Sequence, residues 1–326
     1  MGSTNSDHTF SEDVQMKSYI TILVAVLFVS CFGLPGFGAC PSMDFTDDCR
    51  VNFADFAVFA EQWLTVYDSN DLAVMALEWL TEGIPEPAMT WVSINDPGVS
   101  GHEGFNGEMS KYETTNAQYC QFLNAAIASG DITVSGSTVY GANGSNSGVD
   151  FVGQLYYDLA GAGSTQDGAT NGGAARINYS GGSFSVDSGF ENHPVSHVSW
   201  YGSTAFCNYY GYRLPTEWEW QAVADYDGSY TYGCGTTINN SIANYSGSTH
   251  PNGTTIVGAF GAYGYGMCDM AGNVLEWTSS SYIYSNSFRV IRDGSWGDLA
   301  YFCSFAYWSI SQPDYTNFGI GFRVCR

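Results

Sequence analysis

Only a few short stretches of this chain carry the apolar spacing of a helix, and 39 glycines against 9 prolines are spread between them. That pattern predicts a loop-rich globule of short strands and tight turns. Aromatic residues are 16% of the 326 and charged residues only 13%, the reverse of the balance that keeps a chain disordered. The length suits one large domain, or one domain with a small module attached. Nine basic against 32 acidic side chains give a formal charge of −23. A generic nucleic-acid binder or a binder of anionic membranes is thereby excluded.

The N-terminus points to export. Met16-Lys17 precedes an apolar run, Ile20 to Phe32, and the small residues of Gly36-Phe37-Gly38-Ala39 suit signal cleavage, so residues 1–39 read as a signal peptide. Asp7, Glu12 and Asp13 are wrong for a positive leader, which places the true start at Met16. The run is short and broken by Pro35, so no stable membrane span is expected once it is removed. The expected destination is the periplasm, the cell surface or the extracellular space. Cleavage near Ala39 takes Cys31 from the nine cysteines, and the even remainder is compatible with disulfides in an oxidising compartment.

Residues 40–82 have their own logic. Asp44, Thr46, Asp48, Asn52 and Asp55 fall at positions 1, 3, 5, 9 and 12 of a loop, with the Arg50 carbonyl at position 7. This spacing wraps a chain around one hard cation such as Ca²⁺. The loop runs into an apolar-periodic helix at Phe56–Leu64, and Asp71–Leu80 repeats it, so a helical hairpin is expected. The stretch resembles the dockerin type I repeat, which implies Ca²⁺ at those six residues and a cohesin-like partner. The second loop has shrunk to Tyr67-Asp68-Ser69-Asn70. A hairpin with a solvated acidic turn is the alternative reading. Gly83, Pro85 and Pro87 mark 83–88 as a linker.

The large domain, 89–326, opens with a strand at Met89–Ile94 and a helix capped within Glu113–Asn116 that runs to Ala126. Ser129 to Gly189 reads as a long loop or irregular hairpin region. A second helix is capped by Ser199 and ended by Gly211, and Thr216 with Glu219 forms a capping box for a third. His193 and His197 flank Pro194, which keeps their segment extended and their roles structural. Phosphate-loop, zincin and nucleophile-elbow motifs are absent from the sequence.

Five motifs then follow in order: His193-Pro194-Val195 with Val198-Ser199-Trp200, Arg213-Leu214-Pro215-Thr216-Glu217, Gly272-Asn273-Val274-Leu275-Glu276-Trp277, Arg292-Asp293-Gly294-Ser295, and Gly321-Phe322-Arg323. The series resembles the formylglycine-generating enzyme family, also called sulfatase-modifying factors. The resemblance implies a loop-rich α+β domain related to the C-type lectin fold and stabilised by Ca²⁺. One calcium site would use the side chains of Asp269 and Glu276 with the carbonyls of Gly272 and Val274. A second would start at Asn244 and Tyr245, but Ser248–Gly253 supplies no carboxylate to complete it.

The same resemblance implies oxidation of a protein cysteine at Cu(I) held by two cysteines just after the Gly-Ser turn. Here the second is Cys303, the first is Asp298, and Ser295 stands beside them. A carboxylate is a poor ligand for Cu(I), so the copper site is expected to be degenerate. The family's disulfides map onto Cys207 with the neighbourhood of Cys325, and onto a second pair that loses a partner at Ala224. Cys303 is then a residual metal ligand, a half-cystine or a buried thiol. Two functions stay open: an exported protein-modifying oxidase, and a non-catalytic calcium-stabilised lectin-like module binding a peptide or glycan.

Overall fold

The structure, a computed structural model, describes residues 87–98, 103–144, 151–161, 173–246 and 253–326. The stretches read from the sequence as a signal peptide and a dockerin-like calcium loop with its hairpin, and most of the expected linker, lie outside the described residues. Pro87–Arg326 is one compact unit.

Local capping chemistry sets the helices. In α1, Asn116–Ala128, Thr115 accepts a hydrogen bond from the Gln118 backbone N–H at 3.3 Å, and the Gln118 side chain accepts from the Thr115 N–H at 2.8 Å. Both ends of that box satisfy donors the helix would leave open. In α2, Trp200–Tyr210, Ser199 accepts from the Gly202 N–H and Gly211 closes the helix at φ 74°. Only glycine takes that left-handed conformation cheaply. In α3, Glu217–Ala224, Thr216 and Glu219 exchange both bonds, and Arg213 holds Glu219 through two contacts of 2.6 and 2.8 Å.

Among the described residues the strands form four small sheets. β1, Trp91–Asp96, pairs antiparallel with β2, Phe105–Ser110. The stretch expected to be loop or irregular hairpin contains a meander of β3, Ile132–Ser135, β4, Thr138–Gly141, and β5, Leu155–Asp158. It also holds the hairpin β6, Ile177–Ser180, with β7, Ser183–Val186. Gly181 and Gly182, at φ 62° and 91°, make that turn. Two positive-φ residues match the twist of the flanking strands. The largest sheet runs β10-β9-β8-β11, with β8 at Leu275–Tyr282, β9 at Ser285–Arg292, β10 at Trp308–Ser311 and β11 at Ile320–Gly321. β11 lies parallel to β8, which brings the C-terminal Phe322-Arg323 under the start of β8.

Aromatic rings fill the core between α1, α2 and this sheet. Tyr119, Phe206 and Phe322 are buried with ring centroids 5.4 to 6.0 Å apart. Trp220 and Trp277 are fully buried, and each indole N–H finds an acceptor, on Glu276 at 2.7 Å and on the Val198 carbonyl at 3.0 Å. A buried indole without a partner would cost stability, so these bonds fix where α3 and α2 sit against β8. Among the described residues no helix is long and apolar enough to cross a membrane.

Candidate functional site

The loop from Asp269 to Glu276 turns sharply before entering β8. Asp269, Gly272 and Asn273 all have positive φ, at 55°, 87° and 67°. At Gly272 a Cβ would lie 2.2 Å from the Asn244 carbonyl, so only glycine fits between the two strands of backbone. Asn273 locks the turn: its Oδ1 accepts from the Thr255 N–H at 2.9 Å, and its Nδ2 donates to Glu113 at 2.6 Å. Glu113 also accepts from the Val274 N–H at 3.1 Å.

Arg323 lies at the centre of the surrounding charges with no exposed surface. It binds Glu276 through three contacts of 2.7 to 2.9 Å and donates to the carbonyls of Cys268 and Asp269 at 3.1 Å. Glu276 is itself fully buried and also accepts from Trp220, so both its oxygens are engaged within the protein. Burial and the negative charges of Asp269 and Glu276 push the Glu113 carboxyl well up. Burial first, then repulsion from Glu276, push Asp293 well up. Asp269 rises to about 6, chiefly from burial, although the Gly258 N–H donates to it. One arginine cannot neutralise four carboxyls in a dry interior, so this region carries unbalanced acid.

Of the expected calcium ligands, the structure brings Asp269, Gly272, Val274 and Glu276 onto one loop. The donor set is all oxygen, which fits a hard cation, and a buried carboxyl whose ionised form is disfavoured is one that a cation would stabilise. With Glu276 committed to Arg323 and Trp220, a cation here would be left Asp269 and the carbonyls of Gly272 and Val274. Asn244 is buried, and its carbonyl takes the Asn273 N–H at 2.8 Å, which ties it to the same loop. Tyr245 packs instead beside Cys234 and Cys303. Among the described residues no three His, Cys, Asp or Glu side chains gather as a metal-holding group.

A cavity of about 380 Å³ opens on the other side of the Gly-Ser turn. Its floor is the sheet, through Leu275, Ile291 and Ile320, and its walls are the loops at Ser295–Asp298 and Tyr315–Phe318. Asp298 accepts from the Ser295 N–H at 2.8 Å and from its hydroxyl at 2.6 Å. That carboxylate therefore shapes the wall. Cys303 ends a 3-10 turn at Ala300–Cys303 and is fully buried, packed with Cys234, Ala243 and Ala271. Burial and the nearby acids Asp293 and Asp298 push its thiol well up. A carboxylate engaged by Ser295 is a hard donor and does not fit Cu(I).

The six described cysteines are thiols, including Cys207 and Cys325, both fully buried, with a Cys325 thiolate close enough to raise the Cys207 thiol. His193 bonds Thr254 at 3.0 Å and His197 bonds the Gly173 carbonyl at 2.7 Å, so both hold loops together. Three residues escaped sequence reasoning: Glu113, Asp293 as a buried acid, and Cys234. Glu113 reads locally as the approach to a helix cap, yet its oxygens serve Asn273 and Val274, 160 positions or more away. The signal available was the Asp in place of the family's first turn glycine, a carboxyl next to a position that must be buried.

Residues 103–326 match the family profile of the Sulfatase-modifying factor enzyme 1-like domain. Over 171 residues the chain is 33% identical to "Serine/threonine-protein kinase pkn1" of Chlamydia caviae, covering 47% of this chain and 27% of that protein. Over 120 residues it is 37% identical to "Inactive C-alpha-formylglycine-generating enzyme 2" of Bos taurus, covering 33% of this chain and 40% of the relative. The formylglycine-generating enzyme of Thermomonospora curvata shares 36% over 99 residues, 26% of this chain and 33% of that one. The chain thus spans 27 to 40% of the length of these relatives. In fold it is similar to the crystal structure of CarF, with a TM-score of 0.51 at 21% identity over 73% of this chain and 98% of that one. With the profile matched across most of its length, this chain belongs to the sulfatase-modifying factor enzyme 1-like family.

Proposed function

We propose that this chain is an exported member of the family that binds a polypeptide in the cavity beside Ser295 without oxidising a cysteine at copper. The observation that carries the reading is Asp298, whose carboxylate stands at the first copper-cysteine position and is spent on Ser295. Cys303, fully buried in an apolar cluster, is the one thiol left at the copper position. What remains is a sheet-floored cavity with hydroxyls and ring edges on its walls, next to the exposed side chains of Trp308 and Tyr315. Such a surface suits an extended segment with one side chain inserted. Mass spectrometry of a sulfatase-type cysteine peptide, incubated with the protein, Cu(I) and oxygen, should return the peptide unchanged. Robust aldehyde formation that Cys303→Ser abolishes would overturn the proposal.

Calcium at the Asp269–Glu276 loop belongs to the same proposal, as a stabiliser of the scaffold. Asp269, Gly272 and Val274 would hold it, and it would supply charge balance to the buried acids. The pH dependence follows from Asp269. Its folded-state value, about 6, lies above the ordinary 3.8. An acid raised on folding stabilises fully below its unfolded value, and that contribution is lost as pH rises through the folded one. In EDTA the melting temperature should fall as pH climbs from about 4 to 7, less so in Asp269→Asn, and Ca²⁺ should restore it at neutral pH by mass action. Identical curves with and without Ca²⁺ would remove the calcium assignment.

A further inference from the structure

Cys234 and Cys303 are 69 positions apart in sequence and share one small apolar cluster with Ala243 and Ala271, walled by Tyr232, Tyr245 and Tyr263. The backbone explains how they meet. Tyr232 bridges antiparallel to Ser304, the residue after Cys303, and the Thr231 carbonyl accepts from the Phe305 N–H at 3.1 Å. Tyr232 and Gly235 then exchange hydrogen bonds of 2.8 and 2.9 Å, closing a tight turn with Cys234 inside it. That turn sets Cys234 against the 3-10 turn that ends in Cys303. Cys303 cannot retreat, because its sulfur already lies against Gly294, where a Cβ would come within 2.9 Å of it.

We propose that in an oxidising compartment Cys234 and Cys303 are joined by a disulfide, which withdraws the one cysteine retained at the family's copper position from metal chemistry. The pairing rests on packing and bridging, and it adds to the non-oxidising reading without requiring it. A disulfide also suits the surroundings. Burial raises the Cys234 thiol to about 12, with Asp293 adding to the effect, and Cys303 is raised by burial and the same acid. Two thiolates would add negative charge beside a carboxyl that is already hard to ionise, whereas a disulfide is neutral.

The reaction is thiol–disulfide exchange with a small or protein disulfide oxidant, R–S–S–R, before this cluster is fully closed. The Cys234 thiolate attacks one sulfur of the oxidant, forming a mixed disulfide and expelling one thiolate, which takes up the proton Cys234 gave up. The Cys303 thiolate then attacks the Cys234 sulfur, and a second R–S⁻ leaves and is protonated in turn. Two protein thiols are oxidised to one disulfide while the oxidant is reduced to two R–SH.

The full chain, produced in an oxidising compartment and kept free of reductant, should be denatured in iodoacetamide, digested and mapped by mass spectrometry. A Cys234–Cys303 cross-linked peptide that disappears on reduction is expected, with Cys120 and Cys268 alkylated. In Cys234→Ser, Cys303 should become fully alkylated, and reductant should lower the melting temperature of wild type but not of this variant. Alkylation of both Cys234 and Cys303 in unreduced wild type would overturn the proposal, as would a cross-link from either to another cysteine. Wild-type mapping decides the matter even if the variant fails to fold. A missing cross-link with no peptide oxidation would sink this inference alone; a present cross-link with peptide oxidation would sink the functional reading instead.

Discussion

Arg323→Met should unfold the domain more readily than any other single change to its charged residues, with a loss of about 3–5 kcal/mol in urea denaturation. Arg323 and Glu276 are both wholly buried, and the guanidinium is bound by both carboxylate oxygens and four backbone carbonyls. Taking it away leaves the buried Glu276 carboxylate with the Trp220 indole alone and no cation, and removes the charge that also offsets Glu113 and Asp269. The double variant Arg323→Met with Glu276→Gln should recover much of the loss, because a neutral amide that keeps the Trp220 hydrogen bond costs far less to bury than an unpaired ion. A single-variant loss below about 1 kcal/mol, the scale of an exposed ion pair, would show that water reaches this arginine.

What could be read in advance was local. Ser199 and Gly211 bracket α2, and Thr216 with Glu219 starts α3, because a cap is satisfied within a few residues of itself. The four-stranded sheet was not legible. β11 is two residues long and lies beside β8, 45 positions earlier, so no periodicity in Ile320-Gly321 can announce the pairing. The meander could be read only as loop or irregular hairpin, for a related reason: four-residue strands such as Thr138–Gly141 are too short for their alternation to stand out against glycine-rich turns. At the site, the family motifs located Glu276, Asp298 and Cys303; Asp298 meets its partner Ser295 three residues away, but the other two meet theirs from afar. Glu276 meets Arg323 across 47 positions, and Cys303 meets Cys234 only because Tyr232 bridges Ser304. The two acids gained by the site, Glu113 and Asp293, are ordinary charges in sequence and become chemically distinctive only once buried.

Asp298→Cys should raise Cu(I) affinity well above that of the wild type, which on the proposed reading lacks a second soft ligand. The change replaces a hard carboxylate with a soft thiolate at the position five before Cys303, giving the donor pair that selects Cu(I) over hard cations. The gain should exceed the roughly 10–100-fold that second-shell changes produce, because a direct ligand is being added. Two features oppose it. Asp298 holds the Ser295 N–H and hydroxyl, so its loss loosens the turn, and Cys303 must be free of any cross-link and able to ionise despite burial. Titration should therefore be made in reductant against a competing Cu(I) chelator, with Cys234→Ser as a second background. In both backgrounds Asp298→Cys should take copper from a chelator that wild type leaves loaded, and the further change Cys303→Ser should abolish the gain. Equal competition by wild type would mean that the carboxylate, or another donor near the cavity, completes a copper site that ligand softness argues against.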